Sequence, residues 1–181
     1  HGMLRDMVDA GREFAVVEAT SHGLSRKTGR LADVLFDAAV LTNVTHEHLE
    51  FHGSFEAYRS DKANLFRALH RSQAKEPGCP RFGVVNADDA NADYFRGCCD
   101  APVHSYSGRP GGRAEREGPS SADLAALDMR SDIGGTSFVL AQGADRAPAR
   151  IGIPGPFWVE NLLAAALTVS RLLGIDALSL A

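Results

Sequence analysis

Apolar residues in this chain gather in short continuous runs rather than in long alternating series. Phe14 to Val17, Phe36 to Leu41 and Phe82 to Val85 are three such runs, and Val103 to Tyr106 predicts a fourth strand. Each has the length of a strand covered on both faces. Between them the apolar period lengthens to that of a helix. Met3 to Ala10 predicts the end of a helix, closed by Gly11. Ser54 predicts the cap of a helix running to about His70, with Phe55, Tyr58, Leu65, Phe66 and Leu69 on roughly one face. Another helix follows Asn86-Ala87-Asp88-Asp89 and continues through Phe95. Strands alternating with helices predict βαβ units and an α/β fold with a mainly parallel sheet flanked by helices.

The pattern changes after Tyr106. Gly108 to Ser121 is rich in Gly, Pro, Arg, Glu and Ser, and predicts an exposed loop. Leu124 to Met129, Thr136 to Leu140 and Ala149 to Ile153 then predict short strands, with Gly134-Gly135 suited to a hairpin. Residues 108–153 are therefore expected to form a loop and a small antiparallel appendage within one domain spanning 1–181. Gly155 and Pro156 lead into an apolar helix from about Val159 to Leu173, ended by Gly174. No internal repeat is visible.

Composition narrows the possibilities without choosing among them. A chain of 181 residues, 44% hydrophobic and 23% charged, can bury a substantial core in one domain. A net charge of −4 gives no reason to expect nucleic-acid or membrane binding. No apolar stretch is long enough to cross a bilayer. The three cysteines, Cys79, Cys98 and Cys99, form no C-x-x-C pair, and reduced thiols are expected. The chain opens on His1-Gly2 with no signal peptide, so a native start upstream is expected.

The candidate chemistry lies between Val17 and Phe66. One apolar run ends at the acid Glu18. A second ends at Thr42-Asn43, with His46, His48 and His52 beyond it. Lys62 follows inside a helical pattern. Two strand ends would thus deliver an acid and an amide to one edge of a sheet, and in open α/β sheets ligands bind at that edge. Each residue also has a plainer reading. Glu18 could cap a turn and Lys62 could be solvated; far along the chain, Asn161 could be simply a polar residue in the first turn of the last helix.

Several ordered motifs in this stretch resemble the central domain of the Mur ligases, most closely the tripeptide-synthesising MurE branch. They are Glu18-Ala19-Thr20-Ser21-His22-Gly23-Leu24, Phe36 to Asn43, Glu47-His48-Leu49-Glu50-Phe51-His52-Gly53, and Tyr58 to Phe66 with Lys62 inside. The resemblance covers most of the chain and is weakest between Gly108 and Ile151. It implies a P-loop-NTPase-like fold and an ATP-dependent acid–amino-acid ligase of peptidoglycan synthesis. Such an enzyme phosphorylates the carboxylate of UDP-MurNAc-L-Ala-D-Glu, and the amine of a third amino acid then attacks the acyl phosphate. A cytoplasmic monomer is implied.

By the same resemblance, Glu18, His48 and Lys62 would organise Mg²⁺, and Lys62 and His48 would be catalytic. The matching lysine in the family is carbamoylated, which needs a neutral amine. Thr20, Ser21 and Arg30 would hold the nucleotide-sugar substrate, with Arg26 competing for the arginine role. Asn43 and Asn161 would contact ATP. Trp158 stands where the family usually has Asn. His46 falls at a position the family does not fix, and His22 and His52 could serve only to hold loops. The phosphate-binding pattern G-x-x-x-x-G-K-[ST] does not occur in the 181 residues. The chain is thus expected to be a middle piece, inactive alone, without the flanking domains. The alternatives are a related folylpolyglutamate- or cyanophycin-synthetase-type ligase, or a non-catalytic domain keeping the fold.

Overall fold

Two of the short apolar runs, Phe36 to Leu41 and Phe82 to Val85, supply strands of one six-stranded sheet. The computed structural model describes residues 2–45, 49–74 and 79–180. Strands β1 (Ala38–Leu41), β2 (Phe82–Asn86), β3 (Val103–Ser107), β4 (Leu124–Asp132), β5 (Gly135–Gln142) and β6 (Asp145–Ile151) lie side by side in sequence order. The first four run parallel, and β4, β5 and β6 pair antiparallel. The expected appendage is therefore continuous with the main sheet, because β4 pairs with β3 through Tyr106 and Ser107. The hairpin turns at Ile133-Gly134, and Gly135 already belongs to β5.

Successive residues of a strand point to opposite faces, and β2 uses both. Val84 joins a core with Tyr106, Leu124, Phe138, Leu140 and the buried side of helix α7 (Pro156–Leu173). Val85 joins the opposite core with Ala39, Leu41, Phe66 of helix α4 (Phe55–Ala68) and Phe95 of helix α5 (Ala92–Gly97). Gly83 lets α4 come close, since a Cβ there would meet the Phe66 ring at 2.9 Å. Ser54 caps α4 as its position predicts, with Oγ accepting from Ala57 N–H at 3.2 Å. Gly174 ends α7 in the left-handed conformation.

Three sequence expectations need correction. Phe14 to Val17 does not join the sheet. Helix α1 (Gly2–Asp9) leads into an extended segment without a ladder partner, in which Val16 is 101% exposed. A run of apolar residues becomes a strand only when a neighbouring edge pairs with it. Here β1 is an edge strand, and a cleft of about 830 Å³ lies between it and this segment. Second, β1 begins at Ala38 rather than Phe36. Third, 108–121 is not all loop: it holds helix α6 (Arg113–Glu117) and a 3₁₀ turn over Pro119–Ser121.

Candidate functional site

The cleft beside β1 collects residues from four segments. Glu18, Thr20 and Ser21 come from the extended segment and the start of helix α2 (Ser21–Leu24), Thr42 and Asn43 from the exit of β1, and Tyr58 and Lys62 from α4. Five of the sequence-predicted site residues thus line one space, namely Glu18, Thr20, Ser21, Asn43 and Lys62. Glu18 and Thr20 are exposed, and Lys62 is half-buried. Lys62 Nζ approaches the Asn43 carbonyl at 3.5 Å and stands 5.3 Å from the centre of the Tyr58 ring. The lysine helix is in this way turned toward the strand exit.

Arg30 and Arg26 are exposed and do not line the cleft, so neither is brought to the carboxylate and hydroxyls there. Asn161 is half-buried in α7 and also stands outside the lining. Trp158, one turn earlier, is 46% exposed. His46 and His48 fall outside the described residues. Among the described residues no three His, Cys, Asp or Glu side chains form a metal-holding group.

Regular structure does little to hold Thr20 and Ser21, because α2 is four residues long. Side chains hold them. Thr20 Oγ1 accepts from Gly23 N–H at 3.2 Å and caps the helix. Ser21 Oγ lies 3.1 Å from Nε2 of His52, the last residue of helix α3 (Leu49–His52). His52 Nδ1 lies 3.0 Å from Asp61 Oδ2 on α4. A carboxylate only accepts, so Nδ1 carries the proton; in the neutral ring Nε2 is then left to accept from the serine hydroxyl. Ser21 and His52 are both buried. Asn64, one turn beyond Asp61, donates to the Leu24 carbonyl at 3.0 Å. The helix that carries Lys62 therefore also fixes both ends of α2. The sequence motifs spelled Ser21 and His52, but their spacing did not indicate that Asp61 completes the chain of bonds.

The exit of β1 is held just as firmly. Tyr106 Oη donates to the Leu41 carbonyl at 3.2 Å, Asn86 Nδ2 to the Thr42 carbonyl at 3.0 Å, and Val44 N–H to Asp89 Oδ2 at 2.7 Å. Burial, and then the nearby Glu160, Asp88 and Asp89 carboxylates, push the Tyr106 phenol well above its ordinary range. It stays a neutral donor. Asp88 collects Ser107 Oγ at 2.9 Å and the backbone N–H groups of Gly108, Arg109 and Arg113, and so fixes the start of α6.

A mainly parallel α/β domain with an acid, two hydroxyls, an amide and a lysine gathered at one strand exit has the layout of an open α/β ligand-binding domain. The Mur ligase middle-domain family matches residues 1–169, and the chain belongs to that family. It is 45% identical over 175 residues to the UDP-N-acetylmuramyl-tripeptide synthetase of Treponema denticola, covering 96% of this chain and 32% of the relative. It is 35% identical over 162 residues to the UDP-N-acetylmuramoyl-L-alanyl-D-glutamate–2,6-diaminopimelate ligase of Geobacillus kaustophilus, covering 90% of this chain and 30% of that protein. A solved structure of a UDP-N-acetylmuramoyl-L-alanyl-D-glutamate–2,6-diaminopimelate ligase superposes with a TM-score of 0.78 at 29% identity, covering 99% of this chain and 33% of that one. A solved structure of a point mutant of the L. casei folylpolyglutamate synthetase gives a TM-score of 0.64 at 15% identity over 93% of this chain and 36% of that one, a likeness of fold alone. The chain spans about a third of the relatives it matches.

Proposed function

We propose that this chain is the middle domain of an ATP-dependent ligase that joins a third amino acid to UDP-MurNAc-L-Ala-D-Glu in the cytoplasm. The observation that carries the reading is the meeting of Glu18, Thr20, Ser21, Asn43 and Lys62 along one cleft in a chain of this family. Names of relatives similar along nearly the whole chain specify tripeptide synthesis, whereas likeness to folylpolyglutamate synthetase extends only to the fold.

Each residue then has a part. Thr20 and Ser21 offer hydroxyls to the nucleotide-sugar substrate, and Asn43 and Asn161 face ATP. Lys62 reacts as a neutral amine with CO₂: the N–C bond forms, a proton leaves to solvent, and a carbamate carboxylate remains. The exposed Glu18 carboxylate and that carbamate are hard oxygen donors of the kind Mg²⁺ takes in small number beside phosphates. His48 is a third candidate ligand. Mg²⁺ bound there would neutralise phosphate charge. The domain's own task is to hold the carboxylate and phosphates in line and to keep charged groups where charge develops. The chain acts as a monomer in this reading.

The test is ligation by the full-length enzyme, read as ADP release dependent on both UDP-MurNAc-L-Ala-D-Glu and an amino acid. Lys62→Ala should abolish it, and short carboxylic acids added to that variant should restore part of the rate. A fully active Lys62→Ala enzyme, or strict dependence on a folate substrate, overturns the proposal.

A further inference from the structure

The Asn86-Ala87-Asp88-Asp89 motif has no part in the proposed chemistry, yet Asn86 is wholly buried between the two places where nucleotide contacts are proposed. Its Nδ2 donates in two directions, to the Thr42 carbonyl at 3.0 Å and to Glu160 Oε2 at 2.8 Å. Its Oδ1 accepts from Asp88 N–H at 3.0 Å, which fixes the amide orientation. Thr42 immediately precedes Asn43, and Glu160 immediately precedes Asn161. One side chain therefore ties the β1 exit to α7 through the neighbours of both asparagines. Asp89, from the same motif, holds Val44 N–H on the other side of Asn43.

We infer that Asn86 is a positioning residue for ATP. It sets the spacing between Asn43 and Asn161 without touching the nucleotide. The inference rests on the reading that these two asparagines face ATP. Glu160 is the counterpart that makes the tie specific: its side chain is 15% exposed, its other oxygen lies 3.8 Å from Arg109, and an amide donor from Asn86 satisfies it. A side chain needed only to fill the core would have no use for a second donor bond reaching α7. An amide with both donors and its acceptor engaged has one orientation. It therefore transmits a defined distance rather than a general stiffness.

Asn86→Asp in the full-length ligase separates positioning from packing. The shape and the bond from Asp88 N–H are kept, both donor bonds are lost, and a second carboxylate is set against Glu160. The KM for ATP is expected to rise at least tenfold, equivalent to about 1.4 kcal/mol, with the KM for UDP-MurNAc-L-Ala-D-Glu within twofold of the parent. Combining it with Glu160→Gln lets the new amide donate to the new carboxylate. That pair should recover several-fold of the ATP KM, a coupling that independent sites do not show. Should Asn86→Asp fail to fold, Glu160→Leu removes the tie to α7 from a less buried position, together with the ion pair to the exposed Arg109, and is read the same way against Arg109→Ala, which removes the ion pair alone. An ATP KM within twofold of the parent, an equal rise in both KM values, or a pair no better than the single variant overturns the inference. Asn43→Ala and Asn161→Ala run alongside. If neither raises the ATP KM, the nucleotide reading itself fails; if they do and Asn86→Asp does not, only the positioning role fails.

Discussion

His52→Ala should unfold this domain more readily than any other single change among the described histidines. Its ring is buried and bonded at both nitrogens, 3.1 Å from Ser21 Oγ and 3.0 Å from Asp61 Oδ2. It also packs edge-on to Phe51 and Tyr58, with ring centroids 4.7 and 5.3 Å away. Truncation leaves the hydroxyl of Ser21, a residue only 3% exposed, without its ring partner. An orphaned buried hydroxyl costs about 1–3 kcal/mol. The lost ring adds a cavity term, for which large-to-alanine changes range over about 2–5 kcal/mol. Asp61 keeps 19% of its side chain exposed, so water can replace the histidine there and little is added. The two main contributions share atoms and do not sum fully, which gives a loss of about 3–4 kcal/mol, a large part of a typical domain's stability. Urea unfolding of the 181-residue chain, followed by far-UV circular dichroism, reads this as a fall in midpoint at unchanged slope. His52→Gln can still present an amide toward Ser21 and should lose less. A His52→Ala midpoint shift equivalent to less than about 0.5 kcal/mol, the range of an ordinary surface change, would refute the bond chain from Ser21 to Asp61 as a structural anchor.

Two further outcomes concern the sheet. Gly83→Ala should destabilise by about 1–3 kcal/mol, as overpacking does, because the new Cβ meets the Phe66 ring at 2.9 Å; trimming the ring with Phe66→Leu in the same chain should recover part of that loss in the same urea assay. Asp123 is expected to contribute to the acid limb of stability. Burial pushes its carboxyl up, but the Ser105 N–H and His104 beside it outweigh burial and hold it below the usual carboxylate value. A depressed folded-state pKa contributes stability that is present above the unfolded value, about 3.9, and lost as pH falls through the folded one. Asp123→Asn should therefore flatten the fall in thermal midpoint below about pH 4, and an unchanged acid limb would exclude that role.

Much of the sheet was legible because its causes are local. Phe82 to Val85 is apolar at every side chain and is buried throughout. Ser54 stands three residues before the N–H it caps. Phe14 to Val17 has the same composition and stays out of the sheet, because apolar character alone does not bring a segment into register with the free edge of β1. Helix α6 was hidden for a related reason. Its only buried side chain is Ala114, and its start is fixed by Asp88 and Ser107, residues of β2's exit and of β3. In the site, Lys62, Asn43 and Glu18 could be named from motifs, whereas the pairing of His52 with Asp61, or of Asn86 with Glu160 across 74 positions, arises only when the elements pack.

The candidate residues sit on the least regular parts of the chain. Glu18 to Ser21 lead into a four-residue helix, and Thr42 to Thr45 follow a four-residue strand. Neither segment has enough ladder or helix bonds to fix a side chain to a fraction of an ångström. Rigidity comes instead from two groups of donors and acceptors on the long elements. α4 holds α2 through Asp61, His52 and Asn64, and the exits of β2 and β3 hold the β1 exit through Asn86, Asp89 and Tyr106. Each bond contributes only about 0.5–1.5 kcal/mol net, so losing one from the β1 exit leaves the fold in place. Position is more sensitive than stability, since a displacement of about 1 Å can lower a rate by on the order of a hundredfold. Substitutions in these anchors should therefore divide by what they hold. Those on the α4 side should disturb the nucleotide-sugar substrate, and those at the β2 exit should disturb ATP. Lys62 extends from the first group toward the Asn43 carbonyl in the second, 3.5 Å away, and is the residue through which displacement of either would reach the other.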